Sequence, residues 1–345
     1  MDIIEGIEGD YIETKNDQLI FDVKGILHPK DRKICFIRFY PDSDGDRIKD
    51  SKRYKKLYDL KERYSFLRKA FPHYLFFSKE LDLELQGVKN EEIKKIYTPR
   101  EYFKNLTEKN TLTSLDKHSK ELCELFIKDG NLLPTSIGIT GSSMVGLAKE
   151  DSDIDLIIYG TENSLQFQEK LKIIFNKSNN CTQYNLEEYK AHYNWRAGGS
   201  GVSFNDFLKS EKRKLHQGKY FGIDFFIRYI KSPEDWKGDY YDYTFKKCGR
   251  IKIKAEITDS TDSIFTPCSY KINVLKVLYS SQLHKKFDES RLKEVNSFRG
   301  RFCEHALKGE KVDVEGKLEK VFYKGSEHYF RILLEDQIND KMIIL

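Results

Sequence analysis

The spacing of apolar residues divides the chain into three stretches. Near the N-terminus, residues 18–26 (with Phe21, Val23 and Ile26) and 34–40 have the period-two character of strands, joined by the turn-rich link Leu27-His28-Pro29-Lys30-Asp31-Arg32. Leu57, Leu60, Tyr64 and Leu67 then recur at helical spacing and predict a charged helix over 55–70, followed by an aromatic cluster at Phe71, Tyr74, Phe76 and Phe77. In the middle, Thr113 or Ser114 caps a helix with Leu115, Leu122, Leu125 and Phe126, which Gly130 can end. A second helix over 165–175, capped by Ser164, has Phe167, Leu171, Ile174 and Phe175 on one stripe. Asn185-x-x-Glu188 and Ser203-x-x-Asp206 mark two more helix starts. The last hundred residues turn to alternation again at 250–257, 311–321 and 328–334, with a helix expected near 287–296. Short alternating strands with Gly turns predict a β-rich domain, an OB-like barrel being the closest form. The expected fold class is α+β: an α+β region over 1–110, a core over 111–235 and the β-rich domain over 245–345.

One strand breaks its own pattern. Ile154 and the run Leu156 to Tyr159 are apolar enough for a core, yet Asp153 and Asp155 enter it. Alternate strand residues share a face, which sets these carboxylates roughly 6–7 Å apart along the chain. Two like charges on one face repel, and burying them calls for a cation. Carboxylate oxygens suit Mg²⁺ or Mn²⁺ rather than a soft metal. Upstream, Ser136 to Thr140 reads as a strand entering the turn Gly141-Ser142-Ser143, with a short helix expected over 143–148. Gly lets backbone approach a ligand closely, and N–H groups at a helix start favour phosphate. A calcium loop over Asp151, Asp153 and Asp155 is disfavoured because Leu156 stands where its Gly is required; Asp42 to Asp46 reads as a solvated turn.

The pair Gly141-Ser142, followed after ten residues by Asp153-Ile154-Asp155-Leu156, resembles the DNA polymerase beta-like nucleotidyltransferase superfamily. Thr140 stands where that pattern has an apolar residue. The resemblance covers roughly residues 113–231, and the whole chain also looks like an uncharacterised archaeal group of predicted nucleotidyltransferases. It implies a third acid on a later strand, for which Asp224 is the one carboxylate in the apolar run 221–230. It implies that Asp153, Asp155 and Asp224 are catalytic and bind metal, two ions about 3.5–4 Å apart in such sites. It also implies a nucleoside triphosphate such as ATP as substrate, with its terminal phosphates on Gly141, Ser142 and Ser143.

Lys209, Lys212 and Arg213, on the helix before Asp224, are candidates for meeting the triphosphate, with Arg228 a weaker one; a solvated basic face is the competing reading. Phe298-Arg299-Gly300-Arg301-Phe302 could stack a base or hold structural arginines. The net charge of +5 lends little weight to RNA or single-stranded nucleic acid as acceptor. A catalytically inert nucleotide- or RNA-binding module, and a transferase acting on a protein or small molecule, stay open. No run of 18 apolar residues exists, and Met1 to Glu5 lack a signal pattern, so a cytoplasmic protein is expected. The six cysteines show no C-x₂-C spacing and are expected as free thiols; nothing nearby completes a metal set with Cys303 and His305.

Overall fold

The computed structural model describes residues 5–281 and 288–345. The N-terminal tetrapeptide read for a signal, and the first residue of the helix expected over 287–296, lie outside them. The chain divides into two compact units: residues 1–78, 83–182 and 217–240 form the first, and 79–82, 183–216 and 241–345 the second. The N-terminal region and most of the expected core therefore fall in one unit.

The first unit holds two sheets. The N-terminal sheet contains β1 (Tyr11–Thr14), β2 (Ile20–Val23), β3 (Arg32–Pro41), β4 (Arg47–Lys49), β5 (Lys52–Lys56), β6 (Leu75–Ser78), β7 (Leu83–Lys89) and β8 (Ile93–Tyr97), ordered β4-β5-β3-β2-β1-β8 with β7 between β3 and β6. The helix expected from residue 55 begins later, as α1 (Leu60–Ala70). The Asp59 carboxylate accepts the Lys61 and Glu62 N–H groups at 2.8 and 3.1 Å and fixes that start, leaving Tyr54 and Lys56 to alternate on β5.

A register shift lies between β2 and β3, where Ile20 pairs with Phe39 but Phe21 pairs with Ile37, so Arg38 is the extra residue. The bulge sends Ile37 and Phe39, two residues apart on one strand, into different cores. Phe21 and Ile37 pack with Leu67 of α1, whereas Ile20 and Phe39 join Tyr11, Tyr54, Met144, Val145 and Leu147.

The second sheet has order β11-β12-β13-β10-β9, built from β9 (Ile137–Thr140), β10 (Ile154–Tyr159), β11 (Cys181–Thr182), β12 (Gln217–Tyr220) and β13 (Ile223–Ile230). Its α2 is Pro99–Glu108 and its α3 is Ser114–Gly130, which Thr113 caps by accepting the Asp116 N–H at 3.1 Å and left-handed Asn131 ends. The one-turn α4 spans Gly141–Met144 and α5 spans Thr161–Lys177. Phe126 of α3 packs edge-on to Phe167 of α5 and Phe225 of β13, at ring separations of 5.0 and 6.0 Å. Phe225 pairs with Ile154, so that face of β10 packs toward α3 and α5, opposite the face that carries Asp155.

The second unit contains α6 (Leu186–Ala197), α7 (Phe204–Glu211) and a sheet of β14 (Tyr243–Asp259), β15 (Cys268–Ser280), β16 (Leu292–Ser297), β17 (Lys311–Tyr323), β18 (Ser326–Leu333) and β19 (Lys341–Ile344). Both anticipated caps form: Asn185 and Glu188 make a reciprocal capping box, and Ser203 accepts the Asp206 N–H at 3.1 Å. The order β14-β15-β16-β18-β17 closes on itself through β14–β17 pairing, a five-stranded ring with β19 added to β17. The helix expected near 287–296 is instead β16, paired on both sides, by β15 and β18. Ladder bonds on both edges and burial of Leu292 and Val295 outweigh the local helical tendency there.

Candidate active site

The site begins where β9 turns into β10. Thr140, the last residue of β9, pairs with Asp155 across the antiparallel ladder. Gly141 follows with φ of +79°, where an L side chain is strained. A Cβ there would also stand 2.4 Å from Oδ2 of Asp155, so the turn lies directly against that carboxylate. Ser142 and Ser143 are buried, and their carbonyls accept the N–H groups of Leu147 and Gly146 at 2.9 and 3.0 Å. The Ser152 hydroxyl accepts the Lys149 N–H at 2.9 Å and contacts the Ser142 hydroxyl at 3.4 Å, tying the turn to the start of β10.

Asp153 is exposed and Asp155 half-buried. Burial holds the Asp155 carboxyl above the usual carboxylate range, with the Asp153 charge adding to the effect and Arg228, Lys56 and Arg38 opposing it. On the parallel neighbour β13, Asp155 pairs with Phe226 and Ile154 with Phe225, so one step earlier Asp153 stands beside Asp224. Paired positions share a face, which gives all three aspartates one side of the sheet. Asp224 is exposed at the strand end and pairs with Lys219 of β12. Among the described residues, no three His, Cys, Asp or Glu side chains converge closely enough to hold a metal ion. Oxygen donors at Asp153 and Asp155, with negative charge that disfavours ionisation of Asp155, do fit a hard divalent cation.

Residues 115–192 match the nucleotidyltransferase domain family. The match agrees with the resemblance carried by Gly141-Ser142 and Asp153-x-Asp155 and supports nucleotidyl transfer as the general kind of reaction. The matched span contains the Gly-Ser turn, Asp153 and Asp155 and stops before Asp224. The chain is also 27% identical to the uncharacterized protein MJ1086 of Methanocaldococcus jannaschii, over 333 residues covering 94% of each chain, so the likeness extends through both flanks. No solved structure matches the chain. No helix among the described residues is long and apolar enough to cross a membrane.

Of the cations that act electrostatically on Asp155, Arg228 is the first in effect. Its guanidinium donates to Glu8 at 3.1 Å and lies 3.9 Å from Asp22. Burial works to raise Asp22, but Lys24, at 2.7 Å, and Arg228 outweigh it and hold the carboxyl below its ordinary value. These partners occupy Arg228 with neighbouring carboxylates.

Lys209, Lys212 and Arg213 belong to the second unit. Lys209 donates to the carbonyls of Ile344 and Leu345 at 3.3 and 3.1 Å, and Arg213 pairs with Glu310 at 2.8 Å. Lys212 is exposed. The same unit buries Glu211 between Arg196 and Lys214 at 3.0 and 2.7 Å, and Lys214 also donates to the Arg301 carbonyl at 2.6 Å. Of the basic-aromatic patch, Arg301 donates to the carbonyls of Arg196 and Gln337, both at 2.9 Å, and Phe302 is fully buried. Both therefore have structural work within the unit. His305, neutral in its buried place, bonds the Met342 carbonyl at 2.6 Å, and Cys303 is buried beside it in sequence.

Sequence reasoning missed the contribution of the N-terminal sheet. Its face with Tyr11, Ile20, Phe39 and Tyr54 packs on Met144, Val145 and Leu147, the segment leaving the Gly-Ser turn. Arg47 donates to the Leu147 carbonyl. The period-two spacing of Lys52, Tyr54 and Lys56 was the available signal, and the helical spacing of Leu57 to Leu67 masked it.

Proposed function

We propose that the chain is a metal-dependent nucleotidyltransferase that moves a nucleoside monophosphate from an NTP to an acceptor hydroxyl and releases pyrophosphate. The observation that carries this reading is the contact of Gly141 with Asp155: the phosphate turn and the aspartate pair form one site, with no room for a side chain between them. Asp153 and Asp155 would hold Mg²⁺ or Mn²⁺, which when bound screens the triphosphate and lowers the pKa of the acceptor hydroxyl. The turn at Gly141, Ser142 and Ser143 receives the terminal phosphates. The acceptor oxygen attacks the α-phosphorus, the bond from that phosphorus to the bridging oxygen breaks, and pyrophosphate departs with the electron pair. Asp224, on the same face as Asp153, takes the acceptor proton in the role the family resemblance implies. Positioning and electrostatics supply the catalysis, without a covalent enzyme intermediate. RNA or another single-stranded nucleic acid is the proposed acceptor class, and a cytoplasmic setting the proposed location. Asp153→Ala or Asp155→Ala should abolish transfer while leaving the melting transition in place; transfer by either variant at near the wild-type rate would remove the assignment.

A second reading is a nucleotide-binding module without chemistry. The exposure of Asp224 and the absence of a converged third ligand among the described residues favour it. Metal-dependent NTP binding with no labelled product, whatever the acceptor, would select this reading.

A further inference from the structure

The N-terminal sheet and α1 bring together four cations, of which Lys56 and Arg38 act electrostatically on Asp155. Lys56 lies opposite Phe39 in the β3–β5 ladder, on the face that packs against the segment following the Gly-Ser turn. Its ammonium is 5.0 Å from the Tyr58 ring centre and 5.9 Å from that of Phe39. Arg38, the extra residue of the bulge, reaches the Leu57 carbonyl at 3.3 Å. Arg47 lies over the Phe39 ring at 5.6 Å with its Nε buried and unbonded. Arg63 donates to the Leu57 and Tyr58 carbonyls at 3.3 and 3.1 Å. Among the described residues, none of these four forms an ion pair with a carboxylate. Lys56 and Arg38 both act electrostatically on Asp155, and Lys56 on Asp153 as well.

A cluster of unpaired cations, at the edge of a paired-aspartate site and beside a phosphate turn, lacks an anion. We propose that Lys56, with Arg38 beside it, binds the triphosphate of the incoming nucleotide, so that the N-terminal sheet forms one wall of the active site. The proposal rests on the nucleotidyl-transfer reading and assigns to this sheet the charge neutralisation that sequence spacing had suggested for Lys209, Lys212 and Arg213. It also accounts for the bulge, which turns Phe39 and its neighbour Lys56 from the α1 core toward the catalytic turn. Burial, with Arg38 and Arg47 adding, pushes the Lys56 ammonium down to about 8, against the pull of Asp153 and Asp155. A polyanion entering here would relieve that excess positive charge.

The test uses the full chain, with magnesium tripolyphosphate as probe in titration calorimetry and an NTP in steady-state kinetics. Lys56→Met keeps the apolar stem that packs near Phe39, and Lys56→Arg keeps the charge; melting curves establish that both fold. Loss of one charge-assisted contact to phosphate should weaken tripolyphosphate binding in Lys56→Met by about tenfold or more, and raise the KM for NTP more than it lowers kcat. Lys56→Arg should recover most of both. Unchanged tripolyphosphate binding and KM in Lys56→Met, in a protein whose wild type transfers nucleotide, would overturn this inference and leave nucleotidyl transfer standing. A wild type that neither binds tripolyphosphate nor transfers nucleotide would overturn both.

Discussion

Replacing Gly141 by Ala separates two effects that a comparison with Gly25 can measure. Both glycines have φ of +79°. At Gly25 an added Cβ meets nothing within 4 Å, whereas at Gly141 it meets Asp155 Oδ2 at 2.4 Å, with Cβ and Cγ at 3.1 and 3.2 Å. Each variant bears the left-handed strain of a non-glycine residue, about 1–2 kcal/mol. For a domain of this size that lowers Tm by about 2–8 °C. Gly141→Ala must in addition move the Asp155 carboxylate by about 1 Å to reach ordinary contact distance near 3.4 Å. Displacement of a reacting group by about 1 Å costs on the order of 100-fold in rate. Gly25→Ala should therefore transfer nucleotide at close to the wild-type rate with a modestly lowered Tm. Gly141→Ala should lose about two orders of magnitude in kcat with a somewhat larger drop in Tm. The assay is initial-rate nucleotide transfer alongside a thermal melt of each protein. Gly141→Ala at wild-type rate, or Gly25→Ala impaired as severely, would refute the claim that the turn and Asp155 form one packed catalytic unit.

Chelation of divalent ions should stop transfer, with recovery on adding Mg²⁺ or Mn²⁺; activity persisting in chelator would exclude the role given to Asp153 and Asp155. Glu211→Gln removes the charge that compensates buried Arg196 and Lys214, and should destabilise the second unit by about 3–5 kcal/mol in denaturant titration; a change below about 1 kcal/mol would show that solvent reaches the cluster. Burial, with Lys214 adding, pushes the His305 imidazole down to about 3 from an ordinary value of 6.5. Between those values the unfolded chain binds more protons, so this residue's contribution to stability is full above pH 6.5 and declines as pH falls through the window. Lowering the pH from 7.5 to 5 should destabilise the wild type relative to His305→Gln; an equal response of the two proteins would mean that His305 is protonated without penalty in the folded protein.

The site's centre was legible because its elements are local. Gly141-Ser142 and Asp153-x-Asp155 lie within fifteen residues, and the alternation of one strand gives the two aspartates a common face. The helix caps at Thr113, Asn185 and Ser203 could likewise be read from adjacent residues. Ring closure in the second unit needed more, since β14 meets β17 some sixty residues later, though alternation already indicated a small barrel. The cations of the first unit that act on Asp155 were not legible, because they are close to it in space and not in sequence. Lys209 and Arg213 lie fifteen and eleven residues before Asp224 and are engaged with Leu345 and Glu310, whereas Lys56 comes from a strand about a hundred residues before Asp155. A bulge at Arg38 decides which core Phe39 joins, and no local pattern announces it. The segment 287–296 failed for a related reason, since β16 draws its stability from partners on both sides.

The most direct test of the central claim is a transfer screen with α-³²P-labelled ATP, GTP, CTP and UTP. Each is offered with Mg²⁺ or Mn²⁺ to total RNA, single-stranded DNA or cell extract, beside an Asp153→Ala/Asp155→Ala double variant. The account predicts label covalently joined to an acceptor by the wild type and not by the double variant, with pyrophosphate released in equal amount. Tight, metal-dependent NTP binding by the wild type without any labelled product would contradict it and identify a binding module in a nucleotidyltransferase frame.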